Sequence, residues 1–241
     1  MSAEDTSGPR NKIGMLQPAR LGDIVILLPI AKKYADMGYE VVWPIWRRCS
    51  FFAVHAPYVT WRILPVDYHR PHQVKAAAPE VAEWLEPLFG FAGTEKVTAA
   101  WKASGMSFDA YKYKLCRENV ESKFNLDILR NPAREEELFK QEYPGKPYVL
   151  VSDLCSKGVV DVMSKVEEGK TVVKVHPTTD DPLDWLLLME RAEKLMFVDS
   201  FMLNLANQLK IPGCHVAIPK PNHPRHGPVL NSYWVWSDSR T

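Results

Sequence analysis

Gly14-Met15-Leu16-Gln17-Pro18-Ala19-Arg20-Leu21-Gly22-Asp23-Ile24-Val25-Ile26-Leu27-Leu28-Pro29 decides how this chain is read. It is a short apolar strand, a loop punctuated by Pro18 and Gly22, and an apolar helix that opens at an aspartate. The stripe Ile24, Leu27, Leu28, Ala31 and Ala35 carries that helix to Met37, and Gly38 ends it. Asp23 is thereby placed at the carboxyl end of the first strand of an α/β domain, the edge where such folds bind ligands.

Outward from this unit, Lys12–Gln17, Glu40–Pro44 and Trp61–Val66 read as strands, and Phe108–Leu115 as a further one. Pro79–Phe89 reads as a helix with a proline at its start and Gly90 beyond its end. Asn119–Tyr143 is a polar helical connector broken at Asn131-Pro132, and Pro144-Gly145-Lys146-Pro147 marks a boundary. A second alternation follows, with strands at Tyr148–Ser152, Thr171–Val175, Lys194–Val198 and His215–Pro219. Its helices fill Asp181–Ala192 and Phe201–Leu209. Strands alternating with helices mean parallel sheets. The expected fold is α/β, with two Rossmann-like domains over residues 1-145 and 146-241. The segment Pro221–Trp236, with His223, Arg225 and His226, reads as a cleft lid or a packed tail, and Tyr233, Trp234 and Trp236 favour packing.

Composition removes several function classes. The chain has 241 residues, 46% of them hydrophobic, and a net charge of +1, so no global basic field points to nucleic acid. Cys49, Cys116, Cys155 and Cys214 lie far apart without ligand spacing, which predicts no zinc site and a reduced, cytoplasmic chain. The first ten residues are polar and read as a loose leader, not a signal peptide. No apolar run approaches the roughly 18–20 residues that span a bilayer. The sequence contains no GxGxxG after its first strand, no GxxxxGK[ST] loop and no GxSxG elbow. Nicotinamide dinucleotides, P-loop chemistry and ordinary α/β-hydrolysis are therefore disfavoured.

Two places carry candidate chemistry. At the first, Asp23 either caps its helix or accepts a proton from an attacking hydroxyl, with Gly22 clearing the approach and Arg20 facing a phosphate. At the second, Lys194–Val198 runs into Asp199-Ser200 and a helix. The free N–H groups and positive dipole end of that helix suit a pyrophosphate, Ser200 adds a hydroxyl, and Asp199 suits sugar hydroxyls. Asn204 lies one turn further along the same face. A capped core helix is the purely structural reading of the same residues. Ser156 and Lys157 follow the first strand of the second half, and His176 follows the next, so three polar loops stand at three strand ends.

At these residues the chain resembles glycosyltransferases of the two-domain GT-B fold, in particular the heptosyltransferase-like family 9. The matching segments are Arg20-Leu21-Gly22-Asp23 with its helix through Leu28-Pro29, and Ala192-Glu193-Lys194 through Asp199-Ser200, Leu205-Ala206 and Ile211-Pro212. The resemblance implies a nucleotide-sugar donor, with UDP-sugar one option, in the second domain and an acceptor in the first. It further implies a cleft between them, Asp23 as the base, and an inverting reaction without a metal. The family's His-Leu-Ala is Asn204-Leu205-Ala206 in this chain.

Trp43-Pro44-Ile45-Trp46-Arg47-Arg48 interleaves aromatics with arginines, and residues 1–120 carry 15 basic against 12 acidic groups. Trp46 and Arg47 are thus candidate acceptor contacts for a phosphate-bearing acceptor, a hydroxymethylated DNA base among them. Core aromatics with solvated arginines are the bland alternative. Compact enzymes of this kind resemble phage proteins that decorate DNA, which would act in the host cytoplasm; bacterial glycolipid or polysaccharide cores are the other acceptor class. The competing functions are a nucleotide-sugar or nucleic-acid binding protein that has lost turnover, and a nucleotide-processing hydrolase on a Rossmann-like fold.

Overall fold

The computed structural model describes residues 11–68, 70–220 and 227–237. Its first sheet has the order β3-β2-β1-β4, built from β1 (Lys12–Met15), β2 (Glu40–Trp46), β3 (Val59–Leu64) and β4 (Glu83–Leu85), with every pairing parallel. Helices α1 (Leu21–Asp36), α2 (Phe52–His55) and α3 (Pro71–Ala76) connect these strands. Then come α4 (Glu95–Ser104), α5 (Phe108–Leu115) and the connector α6 (Pro132–Glu142).

The second sheet takes strands from β5 (Val149–Ser152) onward. A two-stranded antiparallel hairpin, β6 (Leu154–Cys155) and β7 (Gly158–Val159), follows β5 at once. After it come β8 (Val172–Lys174), α7 (Leu186–Arg191), β9 (Lys194–Val198), α8 (Phe201–Gln208), β10 (His215–Ile218) and β11 (Trp234–Trp236). The order β11-β10-β9-β5-β8 is again wholly parallel. Both sheets bury continuous apolar runs such as Val41-Val42-Trp43 and Leu195–Val198, as strands covered on both faces must. The chain is α/β with parallel sheets, as expected.

Four local expectations are corrected. Residues 108–115 form α5, not a strand: the alternation of Tyr111, Tyr113 and Leu115 with lysines mimics a strand, but Ser107 caps a helix by accepting from Ala110 N. Residues 79–89 are not helical; β4 pairs beside β1, and the Trp84 ring lies 2.5 Å from where a Cβ on Gly14 would stand. Only glycine fits opposite that indole. Residues 181–192 split into a 3-10 turn, Pro182–Trp185, and α7. Helix α1 begins at Leu21 rather than at Asp23, and Arg20 occupies its N-cap without a capping side chain.

Pro29 sits inside α1 and has no N–H to give the carbonyl of Val25, four residues earlier. That carbonyl instead accepts from Gln208 Nε2 of α8 at 3.0 Å. The two helices pack within one buried cluster that reaches from Ile13 and Trp43 to Leu150, Phe197 and Ala217. The connector docks through Arg134, whose Nε donates to both Asp184 oxygens at 3.0 and 3.1 Å. Trp234 is buried in β11, and Asn207 accepts from the Asn231 N–H at 2.8 Å, so the described part of the C-terminal segment packs on the body. His223, Arg225 and His226 lie outside the described residues, as does His69.

A second clamp links the halves. The His55 ring is buried, with Nδ1 2.5 Å from the Leu129 carbonyl and Nε2 2.6 Å from Asp181 Oδ2. Both neighbours only accept, so the ring must donate twice, which is the imidazolium form. Burial works against that charge, but the Asp181 hydrogen bond and the Leu129 carbonyl outweigh it, and the pKa lies above the ordinary 6.5. A folded value above the unfolded one means the clamp contributes in full below 6.5 and is lost as pH rises through the folded value. Thermal unfolding of wild type and His55→Gln at pH 6 and pH 9 is expected to show a wild-type advantage at pH 6 that shrinks at pH 9; a gap independent of pH would contradict the assignment.

Candidate active site between the first loop and helix α8

The loop after β1 is drawn tight by its own backbone. Arg20 has φ of +68°, and its carbonyl accepts from Asp23 N at 2.9 Å and Ile24 N at 3.1 Å. A non-glycine residue in this region costs on the order of 1–3 kcal/mol and persists only when its surroundings hold it. They do: Arg20 Nη2 donates to the Gly90 carbonyl at 2.7 Å, and the guanidinium lies 4.3 Å from the Phe91 ring centre.

Asp23, in the first turn of α1, points its buried side chain away from the helix end. Its Oδ2 accepts from Gln17 Nε2 at 3.2 Å and faces Lys112 Nζ at 3.6 Å. Lys112 is itself fully buried and donates to Gln17 Oε1 at 2.8 Å and to the Pro87 carbonyl at 2.9 Å. Removal from water lowers its pKa, and the Asp23 charge pulls it partly back. Asp23 is thus a carboxylate held by a cation rather than a helix cap.

Helix α8 meets this loop directly. The point where a Cβ on Gly22 would stand is 3.5 Å from Asn204 Nδ2 and 3.6 Å from the Phe201 backbone. At the start of α8, three buried oxygens have no hydrogen-bond partner among the described residues: Asp199 Oδ1, Ser200 Oγ and Asn204 Oδ1. Native proteins pair nearly all such atoms, so a cluster of them at one helix start marks a place where a ligand or water completes the structure. Asn204 Nδ2 is spent on the Ser200 carbonyl at 2.7 Å, which fixes its oxygen outward from that bond.

Asp199 carries the clearest electrostatic signature. Burial, followed by the like charges of Asp109 and Asp23, raises its pKa to about 6, against the opposing pull of Lys220 and Lys123. Lys220 Nζ stands 3.8 Å from Asp199 Oδ2. Behind it, Lys123 and Asp109 are both fully buried and paired at 2.5 Å, and both bond the Val229 peptide. Perturbed carboxylates of this kind concentrate at functional sites.

The other sequence candidates are placed apart from this cluster. Ser156 and Lys157 are exposed in the turn between β6 and β7. His176 is exposed beyond β8, 3.4 Å from Glu142 Oε2 and edge-on to Trp185. Both loops follow strands of the sheet edge that carries Asp199, but among the described residues no hydrogen bond or ion pair joins them to it. Trp46 is buried, donating Nε1 to the Tyr68 carbonyl at 3.1 Å, with Arg48 over its ring and Phe91 at its edge. Arg47 is exposed in the next turn. Among the described residues, no three His, Cys, Asp or Glu side chains are grouped as metal ligands.

Gln17, Lys112, Asp109 and Lys123 were not singled out by sequence. The available signal was a lysine flanked by two tyrosines in Tyr111-Lys112-Tyr113 behind a Ser107 cap, which reads as a cation on the inner face of a helix once α5 is recognised.

No family model matches the chain, and no curated protein sequence matches it. Solved structures do. Glycosyl transferase family 9 from Veillonella parvula superposes with a TM-score of 0.59 at 11% identity, covering 97% of this chain and 88% of that one. The E. coli ADP-heptose LPS heptosyltransferase II gives 0.60 at 8% identity, over 94% and 90%. The E. coli heptosyltransferase WaaC, determined with ADP, gives 0.51 at 10% identity, over 93% and 92%. The chain therefore shares the parallel-sheet α/β fold of these glycosyltransferases, and at these identities the likeness is one of fold.

The raised Asp199 pKa carries a stability consequence. Its folded value of about 6 against 3.8 when unfolded means that ionising it opposes folding, increasingly as pH rises from 3.8 to about 6. Asp199→Asn is expected to be more stable than wild type by on the order of 2 kcal/mol at pH 7, with the gain vanishing near pH 4. Urea unfolding at the two pH values checks this; a variant destabilised equally at both would contradict it.

Proposed function

We propose that this chain is a glycosyltransferase that moves a sugar from a nucleotide-sugar donor to an acceptor hydroxyl. The observation that carries the proposal is the set of unpartnered oxygens of Asp199, Ser200 and Asn204 at the start of α8, where the Asn204 amide and the Phe201 backbone lie against Gly22 in the loop that presents Asp23. Acceptor oxygens left bare need donors, and the hydroxyls of a sugar supply them. The first N–H groups of α8 and the Ser200 hydroxyl suit the diphosphate. Asp23 takes the acceptor's proton as its oxygen attacks the anomeric carbon, and the bond to the diphosphate breaks with its electrons leaving on phosphate. Single displacement inverts the anomeric centre and asks for no metal.

In this reading residues 146-241 bind the donor and residues 1-145 the acceptor. Ser156, Lys157 and His176 form an outer rim of the donor side, to be reached by the distal parts of the nucleotide sugar. Arg20 and the exposed Arg47 form the acceptor side, and the buried Trp46 supports it through Arg48, which lies over its ring. A neighbour determined with ADP makes an adenine nucleotide the first donor class to test, with UDP next. A glycolipid or polysaccharide hydroxyl and a hydroxymethylated DNA base are the acceptor classes to compare. Among the described residues no helix is long and apolar enough to cross a membrane. The second reading, nucleotide-sugar binding without turnover, draws on Asn204 standing where the resembling family has histidine.

The test is a thermal-shift panel of ADP, UDP, GDP and CMP with their common sugar conjugates. One nucleotide is expected to raise the melting temperature with dose, as mass action requires. Asn204→Leu is expected to lose most of that shift, and Asp23→Asn to keep it while losing transfer. No shift with any nucleotide would overturn the donor site, and transfer surviving in Asp23→Asn would overturn its role as base.

A further inference from the structure

Lys112 is the group that binding of a nucleotide sugar does not account for. It is a fully buried ammonium in the middle of α5, and among the described residues no hydrogen bond or ion pair joins it to the α8 cluster. Its acceptors are Gln17 Oε1 at 2.8 Å, the Pro87 carbonyl at 2.9 Å and Asp23 Oδ2 at 3.6 Å, so each of its three protons faces an oxygen. The Phe89 ring centre, 4.6 Å from Nζ, closes a remaining side. Gln17 completes a triangle: its Nε2 donates to the Ala19 carbonyl at 2.6 Å and to Asp23 Oδ2 at 3.2 Å. Its own peptide carbonyl is fixed by Trp43 Nε1 at 2.7 Å. Oδ2 of Asp23 is therefore engaged twice, while Oδ1 has no hydrogen bond among the described residues.

We propose that Lys112, bridged by Gln17, is a positioning residue that fixes Asp23 Oδ2 and sets an opposite charge beside it, leaving Oδ1 to take the acceptor's proton. This rests on the reading of Asp23 as the base. The physical logic is a charge balance. Burial alone disfavours the charged form of a carboxylate, and Asp199 across the loop adds a second negative charge that pushes the same way. A buried cation at 3.6 Å opposes both. Once Asp23 has taken a proton, Lys112 is left with neutral acceptors alone, an arrangement that favours release of that proton to solvent and return of the ion pair. The remaining charged or ionisable groups facing Lys112 are Arg20 at the head of α1, which disfavours its charge, and Cys116 just past the end of α5, which favours it.

The experiment follows the Asp23 carboxyl carbon by NMR in protein labelled at aspartate Cγ, with the resonance assigned by its absence in Asp23→Asn. In Lys112→Met its titration midpoint is expected to rise by about 1–3 pH units relative to wild type, the range an opposite charge at this distance sets. Lys112→Arg is expected to restore most of the wild-type midpoint. Should Lys112→Met not fold, Gln17→Met serves: the same resonance is expected to move upward by less, with the ammonium still in place. A midpoint unmoved in the variants that fold overturns the proposal.

The titration needs no substrate, so it stands whether or not the chain transfers sugar. With turnover in hand, Lys112→Met is expected to lower kcat more than the donor KM and to move the acid limb of the pH profile to higher pH. A moved midpoint with an unmoved pH profile would keep the pairing and remove Asp23 from the role of base.

Discussion

A proline inside a helix organises this protein. Pro29 cannot donate to Val25, and the carbonyl so released is taken by Gln208 from the other half of the chain. An unpaired buried carbonyl costs about 1–3 kcal/mol, so the helix that carries Pro29 is most stable with α8 against it. That contact sets the register in which the first turn of α1, with Gly22 and Asp23, faces the first turn of α8, with Asn204 and Phe201. The position of the candidate site is thus a consequence of how backbone hydrogen bonds are completed within one shared core.

Charge is distributed around that contact in an unusual way. Asp23, Lys112, Asp109, Lys123 and Asp199 are all buried, and the first four form two carboxylate–ammonium pairs. Pairs of this kind are weak sources of stability, because desolvation offsets much of their attraction. Their effect is to fix positions: Asp109 and Lys123 hold the Val229 peptide and with it the C-terminal segment, while Lys112 holds Asp23. Asp199 has only the more distant Lys220 at 3.8 Å, and its carboxyl is the one pushed up to about 6. Asp199 thus stands under-compensated beside the unpartnered oxygens of Ser200 and Asn204, the combination on which the donor-site proposal rests.

Much of this was legible in the sequence, for reasons that can be named. The α1 unit and the strand Lys194–Val198 announce themselves through long apolar runs that end at glycine, proline or aspartate, and β9 has the predicted bounds. Asp199, Ser200 and Asn204 follow from that strand by helical spacing alone. What the sequence hid depends on tertiary packing. Residues 108–115 alternate like a strand, and only burial of both Lys112 and Tyr113 shows a helix. Residues 79–89 carry helix-end signals, yet Trp84 is required flat against Gly14 in the neighbouring strand. Lys112 and Gln17 are 95 positions apart, and no local pattern joins them.

The most direct measurement is a crystal structure with the nucleoside diphosphate that stabilises the protein. The diphosphate oxygens should lie within hydrogen-bond distance of Ser200 Oγ and the first N–H groups of α8, with Asp23 across the loop from them. A nucleotide seated elsewhere, with Asp199, Ser200 and Asn204 still unpartnered, would contradict the assignment of this junction as the transfer site.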